Sequence, residues 1–310
     1  MRVVGVEEFG GPERLRVFEV PEPHVRDGEV RIRVVAVAVN PTDVGVRSGL
    51  RDPQGAPPPY VPGMDAAGVV DEVGEGSPWR IGDRVMAMAL PLSEHGGAYV
   101  EHLVGPWESM APIPENADLV HAAALPMNGL TALQCLELLH LGPDDTLAVT
   151  GAAGTLGNYL VQLGEHAGLR VIADAAPKDR ELVASLGPDE IVERGEDVAD
   201  RIRALAPHGV DGLVDASVQR GQVVRAVRDG GGFVSVRGWA GEPERDVLFH
   251  RATVSRDYPH SQAKLETLRR FAEDGVLTLR VADVLPVEQA AEAHRRLEAG
   301  GVRGRIILTF

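Results

Sequence analysis

The stretch Thr146-Leu-Ala-Val-Thr-Gly-Ala-Ala-Gly-Thr-Leu-Gly157 decides the fold. Thr146 to Thr150 reads as a buried strand that runs straight into Gly151, Gly154 and Gly157. The apolar spacing from Leu156 to Ala167 predicts a helix immediately after. This order has a chemical reason. A turn without side chains lets backbone N–H groups approach a pyrophosphate, and the N-terminus of the following helix stabilises its negative charge. The spacing is G-x-x-G-x-x-G rather than G-x-G-x-x-G, so the glycines alone would also suit a plain strand-to-helix turn.

The downstream sequence strengthens the nucleotide reading. Arg170 to Ala173 predicts a second strand, followed by a helix around Asp179 to Leu186. Glu190 to Val192, Gly212 to Asp215 and Gly232 to Arg237 predict three more short strands. Alternating strands and helices with short links imply parallel βαβ units and a doubly wound sheet. Upstream the texture differs. Val30 to Val39, Gly68 to Val73 and Arg84 to Met88 are Val-rich runs punctuated by Gly, Pro and Asp, as in a β-rich domain. Arg51 to Pro62 holds five prolines and is expected to be an exposed loop. Ala122 to His140 is predicted as one helix, Leu265 to Ala272 and Val287 to Glu298 as two more, and Gly304 to Phe310 as a closing strand.

Composition narrows the function. The 310 residues imply two domains. Lys and Arg total 31 against 46 Asp and Glu, a net charge of −15 that opposes nucleic acid or anionic membranes as partners. Cys135 is the one cysteine, so neither an intrachain disulfide nor a cysteine-held zinc is available. No apolar run approaches the ~18–20 residues of a membrane span. Met1 to Glu8 carries charges where a signal peptide needs an apolar stretch, so a cytoplasmic location is expected. His95 and His102 lack a third ligand for a metal role, and Ser235 has no base nearby in sequence to make it a nucleophile.

Cofactor choice is contested within the sequence. Asp174 closes the second strand, where an acid would bind the ribose 2′-hydroxyl of NAD. Lys178 and Arg180 lie just beyond the same strand, where cations would pair with the 2′-phosphate of NADP.

An ordered set of short motifs adds a family resemblance. Asn40-Pro-Thr-Asp43, Tyr60-Val-Pro-Gly-Met-Asp-Ala-Ala-Gly68, Val73-Gly74, Gly82-Asp-Arg-Val85, Gly96-Gly-Ala-Tyr99, Gly129-Leu-Thr-Ala132, the Gly151–Gly157 loop and Gly304-Arg-Ile-Ile-Leu308 follow one another along the chain. Together they resemble the zinc-independent quinone oxidoreductase branch of the medium-chain dehydrogenase/reductase superfamily. The resemblance implies a Rossmann doubly wound parallel sheet domain (119–258) inserted in a GroES-like β-rich catalytic domain (1–118 and 259–310), with the active site in the cleft. It further implies a homodimer or homotetramer. Zinc-dependent relatives place a Cys within the stretch matching Asn40–Asp43 and a His where this chain has Met64, so no metal is expected.

The activity implied is hydride transfer from NADPH, with NADH as the alternative, to a quinone or other α,β-unsaturated carbonyl. Charge developing on the acceptor oxygen then needs a hydrogen-bond donor or proton source. Asn40, Tyr60 and Asn128 are the candidates. Cofactor contacts are expected from Asn40, Asp43, Thr131, Gly151, Ala152, Ala153, Gly154, Thr155, Leu156, Gly157, Asp174, Lys178, Arg180 and Ser235. Many relatives carry a tyrosine shortly after a Ser-Gly; here Ser48-Gly49 is followed by Leu50-Arg51-Asp52, which counts against tyrosine-dependent protonation. Two rival functions stay open: an enoyl-thioester or biosynthetic enone reductase, and a non-catalytic dinucleotide-binding sensor or structural protein.

Overall fold

Alternation marks most of the first long strand of the chain. In Glu29–Ala38, Val30, Ile32, Val34 and Ala36 are buried while Arg31 and Arg33 alternate with them toward the other face. The computed structural model describes residues 1–51, 55, 57–242 and 244–310 and divides into two compact units. One comprises Met1–Met127, Ser255–Asp274 and Leu279–Phe310; the other comprises Asn128–Val254 and Gly275–Thr278.

In the first unit, β1 (Arg2–Gly5) and β2 (Arg16–Glu19) form an antiparallel pair. Then come β3 (Glu29–Ala38), helix α1 (Pro41–Arg47), β4 (Asp65–Val73), β5 (Arg84–Met88), β6 (His102–Pro106), β7 (Met110–Pro112) and the short α2 (Leu119–Ala122). The sheet is largely antiparallel: β3 pairs with β4, β4 with β5, β5 with β7, and β6 adds to β3. Its core gathers Val30, Ile32, Val85, Tyr99, Met110 and Leu308, among others. Of the proline-rich segment expected as a loop, residues 52–54 and 56 lie outside the described residues, as does the Asp52 of the Leu50-Arg51-Asp52 comparison.

Helix α3 (Pro126–Leu139) leads into the second unit. The single helix predicted over Ala122 to His140 is in fact α2 and α3 with Ala123–Leu125 between them. Pro126 is the cause: its ring disfavours helical backbone at the residue before it, and its missing N–H suits a helix start.

The second unit alternates β8 (Thr146–Thr150), α4 (Thr155–His166), β9 (Arg170–Ala175), α5 (Arg180–Ala184), β10 (Glu190–Glu193), α6 (Val198–Leu205), β11 (Val210–Asp215), α7 (Gly221–Val224), β12 (Val227–Ser235) and β13 (Leu248–Arg251). These strands form one parallel sheet in the order β10-β9-β8-β11-β12-β13. This is the doubly wound arrangement read from the alternation. Strand β13 had no sequence signal, because Leu248–Arg251 buries none of its residues fully. Ala148, Ile172, Leu213 and Phe233 fill one side of the sheet, with Trp239 and Phe249 packed against them.

The chain then returns to the first unit through α8 (Gln262–Glu273), β14 (Val281–Pro286), α9 (Ala290–Ala299) and β15 (Arg305–Thr309). Strand β15 inserts between β14 and β3, so the last residues of the chain complete the first unit's sheet.

Candidate active site and nucleotide-binding loop

The glycine loop follows from β8. Gly151 takes φ +79°, a left-handed backbone that a Cβ disfavours, and so turns the chain out of the strand. Gly154 is the N-cap of α4. Gly157, in the helix's first turn, lies so close to the loop that a Cβ there would come 2.2 Å from the Gly151 carbonyl oxygen. At Gly154, by contrast, a Cβ would meet only that oxygen, at 3.3 Å. Gly157 therefore closes the turn, whereas Gly154 leaves backbone bare on the open side. The first N–H groups of α4, at Thr155, Leu156 and Gly157, have no acceptor within the helix and are disposed to meet an anion.

Asp174, expected to face a ribose hydroxyl, turns inward. Its Oδ1 accepts the Gly151 N–H at 2.6 Å and the Ala152 N–H at 3.2 Å. Its Oδ2 is buried with no hydrogen-bond partner among the described residues. Burial raises its pKa, opposed by the two amides and by the charge of Arg194. Asp215, at the end of β11, accepts from the Thr150 hydroxyl at 2.8 Å and the Arg220 N–H at 2.6 Å, and so shapes the next turn. Lys178 and Arg180 are exposed, and Arg180 Nη1 lies 3.4 Å from the Ile191 carbonyl. Ser235 ends β12, its hydroxyl accepting the Trp239 N–H at 3.2 Å. Asn128 and Thr131 are buried on α3. Ala152 is buried fully and Ala153 nearly so.

In the first unit, Asn40, Asp43 and Asp65 form a buried polar cluster. Asn40 caps α1, and its N–H donates to Asp43 Oδ2 at 2.7 Å, with Pro41 starting the helix. The Asn40 amide Nδ2 donates to Asp65 Oδ2 at 2.7 Å and to the Ala38 carbonyl at 3.3 Å. Asp65 also accepts the Met127 N–H at 2.5 Å. Asp43 accepts from the Gly63 N–H at 3.0 Å and the Tyr99 hydroxyl at 3.1 Å. Burial pushes Asp43 up to about 7, against its two backbone donors. It raises Asp65 as well, opposed by the charge of Arg305. His294 Nε2 reaches the same Tyr99 hydroxyl at 3.3 Å. Burial, with the charge of Arg47, lowers His294 to about 3 and keeps it neutral. With Tyr99 donating to Asp43, the neutral Nε2–H of His294 donates to the Tyr99 oxygen. Tyr60 lies apart from this cluster's hydrogen bonds, half-buried and stacked on Phe9 with ring centroids 4.6 Å apart.

Comparison with known proteins places these features in a family. A profile of the alcohol dehydrogenase GroES-like domain matches residues 26–115, and one described as zinc-binding dehydrogenase matches 186–308. A quinone oxidoreductase of Sus scrofa is 30% identical over 327 residues, covering 99% of this chain and 97% of that protein. The chain belongs to the medium-chain dehydrogenase/reductase superfamily. A chloroplastic NADPH-dependent alkenal/one oxidoreductase of Arabidopsis thaliana is 28% identical, covering 97% of this chain and 77% of that protein. A crystal structure described as an NAD-dependent alcohol dehydrogenase is 32% identical, with a TM-score of 0.87 over the whole of both chains.

Within this superfamily the two groups a site could hold fare differently. A nicotinamide dinucleotide fits, because the turn at Gly151, the bare Gly154 and the α4 N-terminus provide the phosphate cradle. A zinc ion does not fit the donor set. Among the described residues no group of three or more His, Cys, Asp or Glu is placed to hold a metal, and neither the stretch Asn40–Asp43 nor the buried Met64 supplies a Cys or His. Sequence reasoning missed Asp65, Tyr99 and His294 as partners in the buried cluster, and Arg194 beside Asp174. The strand order was the available signal for Arg194, since it brings the turns after β9 and β10 together.

Proposed function

We propose that this protein is a zinc-independent, NADPH-dependent reductase of quinones or other α,β-unsaturated carbonyls. The observation that carries the reading is the glycine loop: a Cβ at Gly154 would meet just the Gly151 carbonyl oxygen, at 3.3 Å, whereas one at Gly157 would run into that oxygen at 2.2 Å, so Gly157 closes the turn and Gly154 keeps the backbone before α4 uncovered. The enzymes named as relatives, acting on quinones and alkenals, support the acceptor class.

When bound, the reduced nicotinamide supplies the hydride that attacks the acceptor. The loop from Gly151 to Gly157 binds the pyrophosphate through backbone N–H groups and fixes its position, which makes the transfer effectively intramolecular. Asp174 holds the loop's first two amides in place. Tyr60 and Asn128 are assigned to the acceptor, and Thr131 and Ser235 to the cofactor. Asn40 and Asp43 are reassigned from direct contact to support, because both are fully buried and the Asn40 amide hydrogens already serve Asp65 and Ala38. Solvent delivers the proton that completes reduction. We further assign the protein to the cytoplasm as a homodimer or homotetramer.

The test follows oxidation of NADPH and NADH by the purified protein with a small ortho-quinone and a 2-enoyl thioester as acceptors. Quinone-dependent oxidation of NADPH is expected. Thioester-dependent oxidation alone would transfer the protein to the enoyl reductases, and cofactor binding without oxidation by either acceptor would refute a reductase of these compounds.

A further inference from the structure

The turn after β10 and the turn after β11 share a cavity of about 260 Å³, lined by Arg194, Gly195, Glu196, Gln219 and Gln222. In the sheet, β10 and β11 flank β9 and β8, so these turns bracket the end of β9 and the start of the glycine loop. The Arg194 N–H donates to the Ala175 carbonyl at 2.9 Å, which holds Arg194 against the last residue of β9. In a doubly wound sheet, the end of this second strand is where the adenosine ribose is read.

Three groups compete for that ribose. Asp174 commits one carboxylate oxygen to two loop amides and buries the other, so it offers no oxygen to a solvent-side hydroxyl. Lys178 and Arg180 are outside the cavity lining. Arg194 lines the cavity and is exposed, and its guanidinium has no hydrogen bond or ion pair among the described residues. A planar guanidinium fork suits a phosphate bidentately. Glu196 is the one acid of the lining and opposes an anion there.

We propose that Arg194, rather than the Lys178–Arg180 pair, reads the 2′-phosphate of the dinucleotide, while Asp174 positions the glycine loop instead of binding a ribose hydroxyl. The proposal rests on the reading of this chain as an NADPH-dependent enzyme, but its test needs no turnover. The full chain is titrated with 2′,5′-ADP and with 5′-AMP, following binding by calorimetry.

The wild-type protein is expected to prefer 2′,5′-ADP. Arg194→Gln should lower that affinity roughly ten- to hundredfold, as loss of a charged hydrogen-bond partner does, with 5′-AMP little changed. Glu196→Gln should raise the preference for 2′,5′-ADP, and Asp174→Asn should shift both ligands in parallel. The proposal is overturned by a wild-type protein that binds 5′-AMP as tightly or binds neither ligand. It is equally overturned if Lys178→Gln or Arg180→Gln abolishes the preference while Arg194→Gln keeps it, or if Asp174→Asn selectively loses 5′-AMP. Arg194-dependent binding without NADPH oxidation by any acceptor would remove the reductase reading and leave this one standing.

Discussion

Replacing Gly157 by Ala and Gly154 by Val should separate the two jobs of the glycine loop. At Gly157 a Cβ would lie 2.2 Å from the Gly151 carbonyl oxygen, 2.6 Å from the Ala152 Cα and 2.7 Å from the Gly151 carbonyl carbon. Relaxed carbon contacts lie at about 3.5–4.0 Å, so the overlap is about an ångström or more, against backbone rather than a movable side chain. The loop cannot simply recede, because Gly151 is fixed by its left-handed turn and its hydrogen bond to Asp174. Overpacking of this kind costs about 1–3 kcal/mol or more, and the helical preference of Ala returns at most about 1 kcal/mol. A net loss of about 2 kcal/mol lowers the melting temperature by roughly 4–8 °C. At Gly154 the Cβ of a valine would meet one atom, the Gly151 carbonyl oxygen at 3.3 Å, a far milder contact, and the larger cost is a poorer N-cap, about 1 kcal/mol. Gly154→Val should melt within a few degrees of wild type yet lose dinucleotide binding. Circular dichroism melts of the cofactor-free variants, paired with NADPH titrations, measure both effects. A Gly157→Ala protein as stable as wild type, or a Gly154→Val protein that still binds NADPH, would refute the division of labour.

Further outcomes follow from the buried groups of the first unit and from Cys135. Asn40→Ala removes a donor from the buried Asp65 carboxylate and should destabilise the protein by about 1–3 kcal/mol, measured by urea unfolding. His294, lowered to about 3, takes up its proton more readily when unfolded, so it weakens the fold progressively as the pH drops below about 6.5. Asp43, raised to about 7, acts in the opposite sense, since its folded form takes up a proton first as the pH falls from 7 toward 4. The melting temperature of His294→Gln relative to wild type should therefore improve steadily between pH 6.5 and 4, and a constant difference would show that His294 does not titrate on unfolding. Cys135, fully buried with its thiol pKa pushed up by burial, should resist a thiol reagent in the native protein and react promptly in denaturant.

The parallel sheet and its glycine loop were legible because their signals are local: a strand, three glycines and a helix follow one another without interruption between Thr146 and Ala167. Asp174 was visible as an acid at the right strand end, but strand alternation decides which way a side chain points. Which neighbours Asp174 meets depended on the pairing of β9 with β8 and β10, a long-range property. The Asp43–Tyr99–His294 chain was beyond reach for the same reason, since 56 and 195 residues separate Tyr99 from its two partners. The break before Pro126 could have been read, yet the leucine spacing around it suggested continuity. Asn40 illustrates the reverse case: its position was noticed, and only the structure revealed that Asp65 already occupies its amide.

The placement of β15 bears on how the chain matures on the ribosome. Every strand of the parallel sheet lies between Thr146 and Arg251, so that sheet can assemble while the ribosome is still adding residues. The sheet of the other unit must wait for β15, because Arg305–Thr309 fills the gap between β14 and β3. Until then the end of β3 at Ala36–Ala38 offers unpaired backbone to any passing strand, a window in which a chaperone has most to protect.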